Sequence, residues 1–238
     1  TRIKKYLNRV TEMKISSIIE NAYRLPNSFS CLECGACAMH ELETKSWSND
    51  KNVWYLEPNV HQYNLIKNEG YSILNLALSD SNKLKKFCVS NMIGWSFLET
   101  SEVIELNDHI RYIQPIQTKY NIECITYEKL QQTLNIKFDI LILDIEGHED
   151  AVLENMASLQ KQNLPKIFCI ECGYDWETRK RLVKNLGYDL DFYYFNNAYF
   201  SMDSPYPKNL DVINEYNKQW AEWTYNGIKI YENENTNL

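Results

Sequence analysis

Phe138-Asp139-Ile140-Leu141-Ile142-Leu143-Asp144-Ile145-Glu146-Gly147-His148-Glu149 is the stretch on which the fold turns. Its apolar run, residues 140–143, alternates isoleucine and leucine without a polar break, the pattern of a strand buried on both faces rather than one. The run stops at an acid, a glycine permits a tight turn, and helical spacing takes over across residues 149–162.

Working outward, similar apolar runs occupy residues 29–32, 53–56, 73–78 and 167–170. Helical spacing separates them over residues 60–68, 127–134 and 176–186, the last closing at Gly187, a suitable left-handed cap. Buried strands alternating with helices imply a parallel sheet. The expected fold class is therefore α/β: a mostly parallel sheet with helices on both faces. Before it, Ile3, Leu7, Val10, Ile18, Ile19 and Tyr23 sit mostly at helical spacing ahead of Pro26, giving an N-terminal helical segment over residues 1–27. The main domain is expected over residues 28–202. Within it, residues 87–123 show no clear period and read as an insertion over the site. A closing antiparallel hairpin is expected from 192–195 and 198–202 around Asn196-Asn197. Residues 203–238 form an aromatic-rich tail with Trp220, Trp223 and Tyr225, suited to packing on the domain or to pairing protomers in a homodimer.

Composition narrows the function. The 238 residues carry 25 basic and 32 acidic side chains, a net charge of -7, which argues against nucleic acid as a partner because such affinity comes from neutralising phosphates. No apolar stretch reaches the roughly 18 residues of a membrane span. Seven cysteines, an odd number without an apolar leader, fit a reducing cytoplasm better than a disulfide framework.

In open α/β sheets ligands bind beyond the carboxyl ends of the strands, so the residues after each run are the informative ones. They are Glu33-Cys34-Gly35-Ala36-Cys37, Glu57-Pro58-Asn59, Ser79-Asp80, the run from Asp144 to Glu149, and Glu171. Glu57 stands where an acid on the second strand reaches both ribose hydroxyls of a nucleotide cofactor. The first turn offers one glycine beside acidic Glu33, and the whole chain has only seven glycines. That suits a cofactor with a cationic centre and no pyrophosphate, such as S-adenosylmethionine, better than a dinucleotide. Asp144, Glu146, His148, Glu149 and Glu171 are candidates for holding or taking a proton, with Asp144 best placed by topology and Glu149 suited to the first helical turn. The same carboxylates offer oxygen ligands for Mg²⁺. Cys31-x-x-Cys34-x-x-Cys37 and Cys169-x-x-Cys172 have zinc-like spacing, yet Cys31 and Cys169 fall inside strands, where thiols behave as small hydrophobes.

These motifs resemble the FkbM family of S-adenosylmethionine-dependent methyltransferases over residues 28–200. The matching text is Leu56-Glu57-Pro58-Asn59, Asn75-Leu76-Ala77-Leu78-Ser79-Asp80, Gly94-Trp95-Ser96, Asp144-Ile145-Glu146-Gly147-His148-Glu149, and Pro165 through Glu171. The resemblance implies a Rossmann-like, seven-strand class I methyltransferase fold, with cofactor contacts at Glu33, Gly35, Ala36, Cys37, Glu57, Pro58, Ala77, Leu78 and Asp144. It implies Glu33, Gly35 and Ala36 around the methionine moiety, Glu57 on the ribose, and Ala77-Leu78 beside the adenine. Catalytic roles fall on Asp144, His148 and Glu171, and acceptor contacts on Trp95 and Ser96. The acceptor implied is a hydroxyl of a sugar, a nucleotide-linked sugar or a related small polar metabolite, in a surface-polysaccharide pathway. Here the first motif reads Glu33-x-Gly35-Ala36-Cys37-x-Met39, where the family has Asp, then Gly-Ala-Asn, then a further Gly. Two rivals stand beside this reading: a nicotinamide-dependent oxidoreductase, which lacks its G-x-G-x-x-G here, and a degenerate domain acting as a binding or assembly module.

Overall fold

The five apolar runs form the spine of a seven-stranded sheet in the computed structural model, which describes residues 13–37, 42–49, 51–90, 96–99, 116–172, 176–202 and 206–235. Its strands in chain order are β1 (Ser30–Cys34), β2 (Asn52–Leu56), β3 (Ile73–Leu74), then β8 (Ile140–Leu143), β9 (Ile167–Glu171), β10 (Asp189–Tyr194) and β11 (Asn197–Ser201). A second, four-stranded sheet holds β4 (Ala77–Leu78), β5 (Leu84–Ser90), β6 (Phe97–Leu98) and β7 (Ile116–Ile125). The helices are α1 (Ile15–Ala22), α2 (Val60–Asn68), α3 (Tyr127–Leu134), α4 (Glu149–Met156), α5 (Trp176–Asn185) and α6 (Leu210–Asn235).

The large sheet runs β10-β11-β9-β8-β1-β2-β3. Neighbours from β9 to β3 are parallel, and only β11 runs against its neighbours. Period-two alternation divides each central strand between two cores. Cys31, Val53, Tyr55, Ile140, Ile142 and Cys169 face one side, with Ile18 and Ile19 of α1, Ile66 of α2 and Ile213 of α6. Leu32, Leu56, Leu141, Leu143, Phe168 and Ile170 face the other, with Leu130 of α3, Val152 of α4 and Val183 of α5. Each fully buried aliphatic side chain contributes about 1.5–3 kcal/mol. The sheet is thus held by helices on both faces.

The same alternation disposes of the zinc spacing. Residues three apart on a strand point to opposite faces, so Cys31 and Cys34 enter different cores, and burial pushes both thiols far up. None of the seven cysteines is in a disulfide.

Four sequence expectations need correction. The run 73–78 is not one strand: it breaks at Asn75, whose Nδ2 donates to the carbonyls of Glu57 at 2.8 Å and Pro58 at 3.1 Å. That side chain turns the chain out of the large sheet, and Ala77 and Leu78 pair instead with Cys124 and Ile125 of β7. Of the expected insertion over residues 87–123, residues 91–95 and 100–115 lie outside the described residues, and the remainder is not without period: β5 and β7 pair antiparallel from Leu84↔Glu123 to Ser90↔Ile116, and inward Tyr120, Ile122 and Cys124 alternate with outward polar neighbours. The helix from Glu149 stops at Met156 rather than residue 162, and a 3-10 turn follows at Lys161–Asn163. The closing hairpin turns at Phe195-Asn196, since Asn197 already pairs with Tyr194, and Phe195 takes a φ of 53°.

Of the N-terminal segment, residues 1–12 lie outside the described residues and α1 accounts for the rest of the helical pattern. The tail packs on the domain through α6, where Trp220 stacks on Tyr193 with ring centroids 4.2 Å apart. The side chains of Trp223 and Tyr225 lie outside the described residues. Among the described residues, no helix is long and apolar enough to cross a membrane.

Candidate functional site

The carboxyl ends of β8, β1, β2 and β3 lie side by side in that order, and a cavity of about 260 Å³ opens along them. Asp144, Gly35, Glu57 and Leu76 follow those strands in turn and all line it. Its far wall comes from the second sheet: Ala77, Leu78, Phe87, Val89, Ser90, Leu98 and Gln117, with Ser96 just before β6.

Gly35 fixes the floor. Its φ is +85°, its amide donates to the carbonyl of Leu56 at 3.0 Å, and a Cβ built there would lie 1.7 Å from the carbonyl oxygen of Asp144. Only glycine lets β1 turn this close to the β8 loop. That loop is braced from behind. Both oxygens of fully buried Glu149 accept backbone amides, Ile145 at 2.9 Å and Gly147 at 3.0 Å. Buried Arg179 of α5 answers with Nη2 at 3.0 Å from Glu149, Nε at 3.1 Å from Asp150, and Nη1 at 2.6 Å from the carbonyl of Glu171. The first acid of α4 is therefore a clamp on the loop, and no local pattern signals its distant arginine.

Glu57 is 6% exposed, and its Oε1 accepts the amide of Asn59 at 2.6 Å. Burial pushes its carboxyl up to about 8. Asp144, exposed to the cavity, sits with Glu146 and Glu171 so that one carboxylate oxygen of each lies within 4.8 Å of the others. Burial and then the neighbouring carboxylates hold Asp144 well above the usual range, and Glu146 at about 8. Burial, followed by the charge of Glu149, raises Glu171, which also hydrogen-bonds Asp144. Three such groups share their protons rather than ionising independently. His148 is 4% exposed, its Nε2 is 2.9 Å from Ser79 Oγ, and burial, then the charge of Lys85, lowers it to about 4. It is therefore a neutral imidazole and a weak base.

The expected site residues are thus sorted by the fold. Gly35, Cys37, Glu57, Pro58, Ala77, Leu78, Ser96, Asp144 and His148 meet at one cavity. Glu33 does not line it: the strand turns its carboxylate to the other face, where it accepts from Thr44 Oγ1 at 2.6 Å and from the amides of Thr44 and Glu43. Ala36 is buried in the core of that same face. Glu171 stands behind Asp144 rather than in the lining. Trp95 and Met39 lie outside the described residues. Unforeseen lining comes from His61 and Gln62 on α2 and from Phe87, Val89, Leu98 and Gln117. The alternation in β5, which puts Phe87 and Val89 on one face, was the available signal for those two.

A methyltransferase FkbM domain model matches residues 33–203. The chain belongs to the FkbM methyltransferase family. Its sheet is the Rossmann-like sheet of class I methyltransferases, a family that uses S-adenosylmethionine. Among curated proteins none matches the sequence. Among solved structures, the chain is similar to precorrin-6y C5,15-methyltransferase from Geobacter metallireducens GS-15, at 11% identity and a TM-score of 0.40, over 80% of this chain and 87% of that one.

The cavity fits that cofactor. A buried carboxylate after β2 with one oxygen held by a single amide leaves acceptor capacity for a ribose diol. Among the described residues no lysine or arginine lines the cavity, as suits a ligand that is cationic and carries no phosphate.

Proposed function

We propose that this FkbM methyltransferase methylates a hydroxyl of a sugar or related small polar metabolite. The observation that supports this reading best is the convergence of Gly35, Glu57 and Asp144 on one cavity whose other wall mixes apolar and amide or hydroxyl groups. In it Gly35 and Asp144 hold the methionine end of the cofactor, Glu57 the ribose, and Ala77 and Leu78 the adenine. When bound, S-adenosylmethionine supplies a methyl group on a cationic sulfur. The protein's part is to hold the acceptor oxygen in line, keep water out, and receive the hydroxyl proton.

Asp144 is the group assigned to that proton, with Glu171 hydrogen-bonded behind it. Carboxyls raised toward neutral pH are better matched to this task than His148, whose low basicity removes it from the role of base. Ser96 contacts the acceptor, with Trp95 beside it in sequence. The domain spans residues 28–202, and the acceptor contacts are assigned to the insertion over residues 87–123. A cytoplasmic protein forming a homodimer, acting on a sugar or nucleotide-linked sugar in surface-polysaccharide synthesis, completes the reading. In this reading the carboxyl cluster shares protons and the reaction needs no Mg²⁺, so EDTA treatment is expected to leave turnover unchanged.

Two variants separate binding from turnover. Glu57→Gln replaces one of the two acceptor oxygens with an amide donor, so calorimetry is expected to show roughly 10–100-fold weaker S-adenosylhomocysteine binding. Asp144→Asn is expected to lower turnover by about 10²–10⁴-fold while leaving cofactor affinity within a few-fold. Wild-type turnover by Asp144→Asn removes Asp144 from its role. A base must be deprotonated to work, and burial holds Asp144 well above the usual carboxylate range, so turnover is expected to rise with pH above the range in which an ordinary carboxylate titrates.

A further inference from the structure

His148 has a history of contacts that fixes where its proton sits. Asp80 is ionised: although partial burial works the other way, hydrogen bonds from Lys85 and Ser79 hold it down at about 2, and Lys85 Nζ lies 2.5 Å from Oδ1. Ser79 Oγ lies 2.8 Å from that same oxygen. An ionised carboxylate has no hydrogen to give, so the serine hydroxyl donates to Asp80. Its single hydrogen is thereby committed, and the 2.9 Å contact with His148 Nε2 requires the ring to be the donor. A neutral imidazole protonated at Nε2 carries its lone pair on Nδ1. Among the described residues nothing bonds Nδ1.

The ring's position says what that lone pair serves. His148 lines the cavity and is tied to Ser79, the residue immediately after Ala77 and Leu78. Its tie to Ser79 therefore sets it beside Ala77 and Leu78, in a cavity whose lining also includes Phe87, Val89 and Leu98. Apolar walls with one fixed neutral acceptor suit a flat heteroaromatic ring that carries an N–H donor.

Resting on the methyltransferase reading above, we propose that Nδ1 of His148 accepts the exocyclic amine of the cofactor's adenine, and that Ser79 and Asp80 are positioning residues that hold the ring in the accepting tautomer. The pair thus makes the site specific for adenine over a base that presents a carbonyl at the same position.

The test uses S-adenosylhomocysteine and S-inosylhomocysteine, in which a carbonyl oxygen replaces the amine, titrated into the full chain by calorimetry. The wild type is expected to favour the adenosyl ligand by about tenfold or more, because a site built to pair a donor rejects an analogue lacking it. In His148→Ala the preference is expected to fall to near unity. Asp80→Ala frees the Ser79 hydroxyl to donate to Nε2, moving the ring proton to Nδ1, so the preference is expected to invert. If that variant does not fold, Ser79→Ala takes its place: with the lock gone both tautomers populate and the preference narrows. Nitrogen-15 spectra of His148 are expected to show the Nε2–H form in the wild type and the Nδ1–H form in Asp80→Ala. Equal wild-type affinities, an unchanged preference in His148→Ala, or a wild-type Nδ1–H ring overturns this assignment alone. Failure of the wild type to bind either ligand overturns the methyltransferase reading, and this assignment with it.

Discussion

Gly35→Ala is expected to destroy the cofactor site and to be among the most damaging single substitutions in the chain. The added methyl would sit 1.7 Å from the carbonyl oxygen of Asp144, and its carbonyl carbon is only 2.8 Å away. Both atoms belong to backbone held in register by the β1–β8 pairing, from Cys31↔Ile140 to Cys34↔Leu143. No side-chain rotation relieves the overlap. The φ of +85° adds its own strain for any residue with a Cβ. A loss of about 4 kcal/mol or more is expected, which belongs to the small class of large single-site effects. For a chain of this size each kcal/mol lowers Tm by roughly 2–4 °C. Thermal unfolding and S-adenosylhomocysteine calorimetry on the variant check both losses. Wild-type stability would show that the two loops part more easily than their register implies.

Arg179→Met should be nearly as costly, by a different route. Arg179 is 3% exposed and Glu149 fully buried, and their 3.0 Å contact supplies the charge that offsets the Glu149 carboxylate. Removing one partner of a buried pair leaves an uncompensated charge and costs about 3–5 kcal/mol. The damage is expected to reach function, because Glu149 also holds the amides of Ile145 and Gly147. Glu146 and Gly147 both take positive φ, 55° and 92°, so that loop depends on its brace. Denaturant unfolding of Arg179→Met, Glu149→Gln and the double variant is the check. The double variant is expected to recover part of the loss, since no buried charge remains unpaired. Strict additivity would mean that the two side chains do not act together.

Much of this was legible in the linear text. Residues 140–143 read as a doubly buried strand, and β8 is Ile140–Leu143 with each residue in one core or the other. The acids after β2 and β8, and the single glycine after β1, were visible as ligand-facing because strand ends in such sheets converge on one edge. Glu33 shows the limit of that argument. It follows the same rule of position, yet one step along a strand reverses the face, and its carboxylate goes to Thr44 instead of the cavity. The second sheet was missed because β4 and β6 are two residues each, too short to show a period. β7 shows its alternation only in its last turns of sequence, where Ile122 and Cys124 go inward.

The sequence by itself determined the strand–helix order, the buried faces and the residue types at the strand ends, because burial periodicity and turn chemistry are local. Tertiary structure alone decided the partners: Arg179 for Glu149, Ser79 for His148, Glu171 for Asp144, Thr44 for Glu33. Each of these pairs joins residues distant in the chain or on different elements. Charge, burial and tautomer at the site follow from those pairings, and no local pattern records which residues will be brought together.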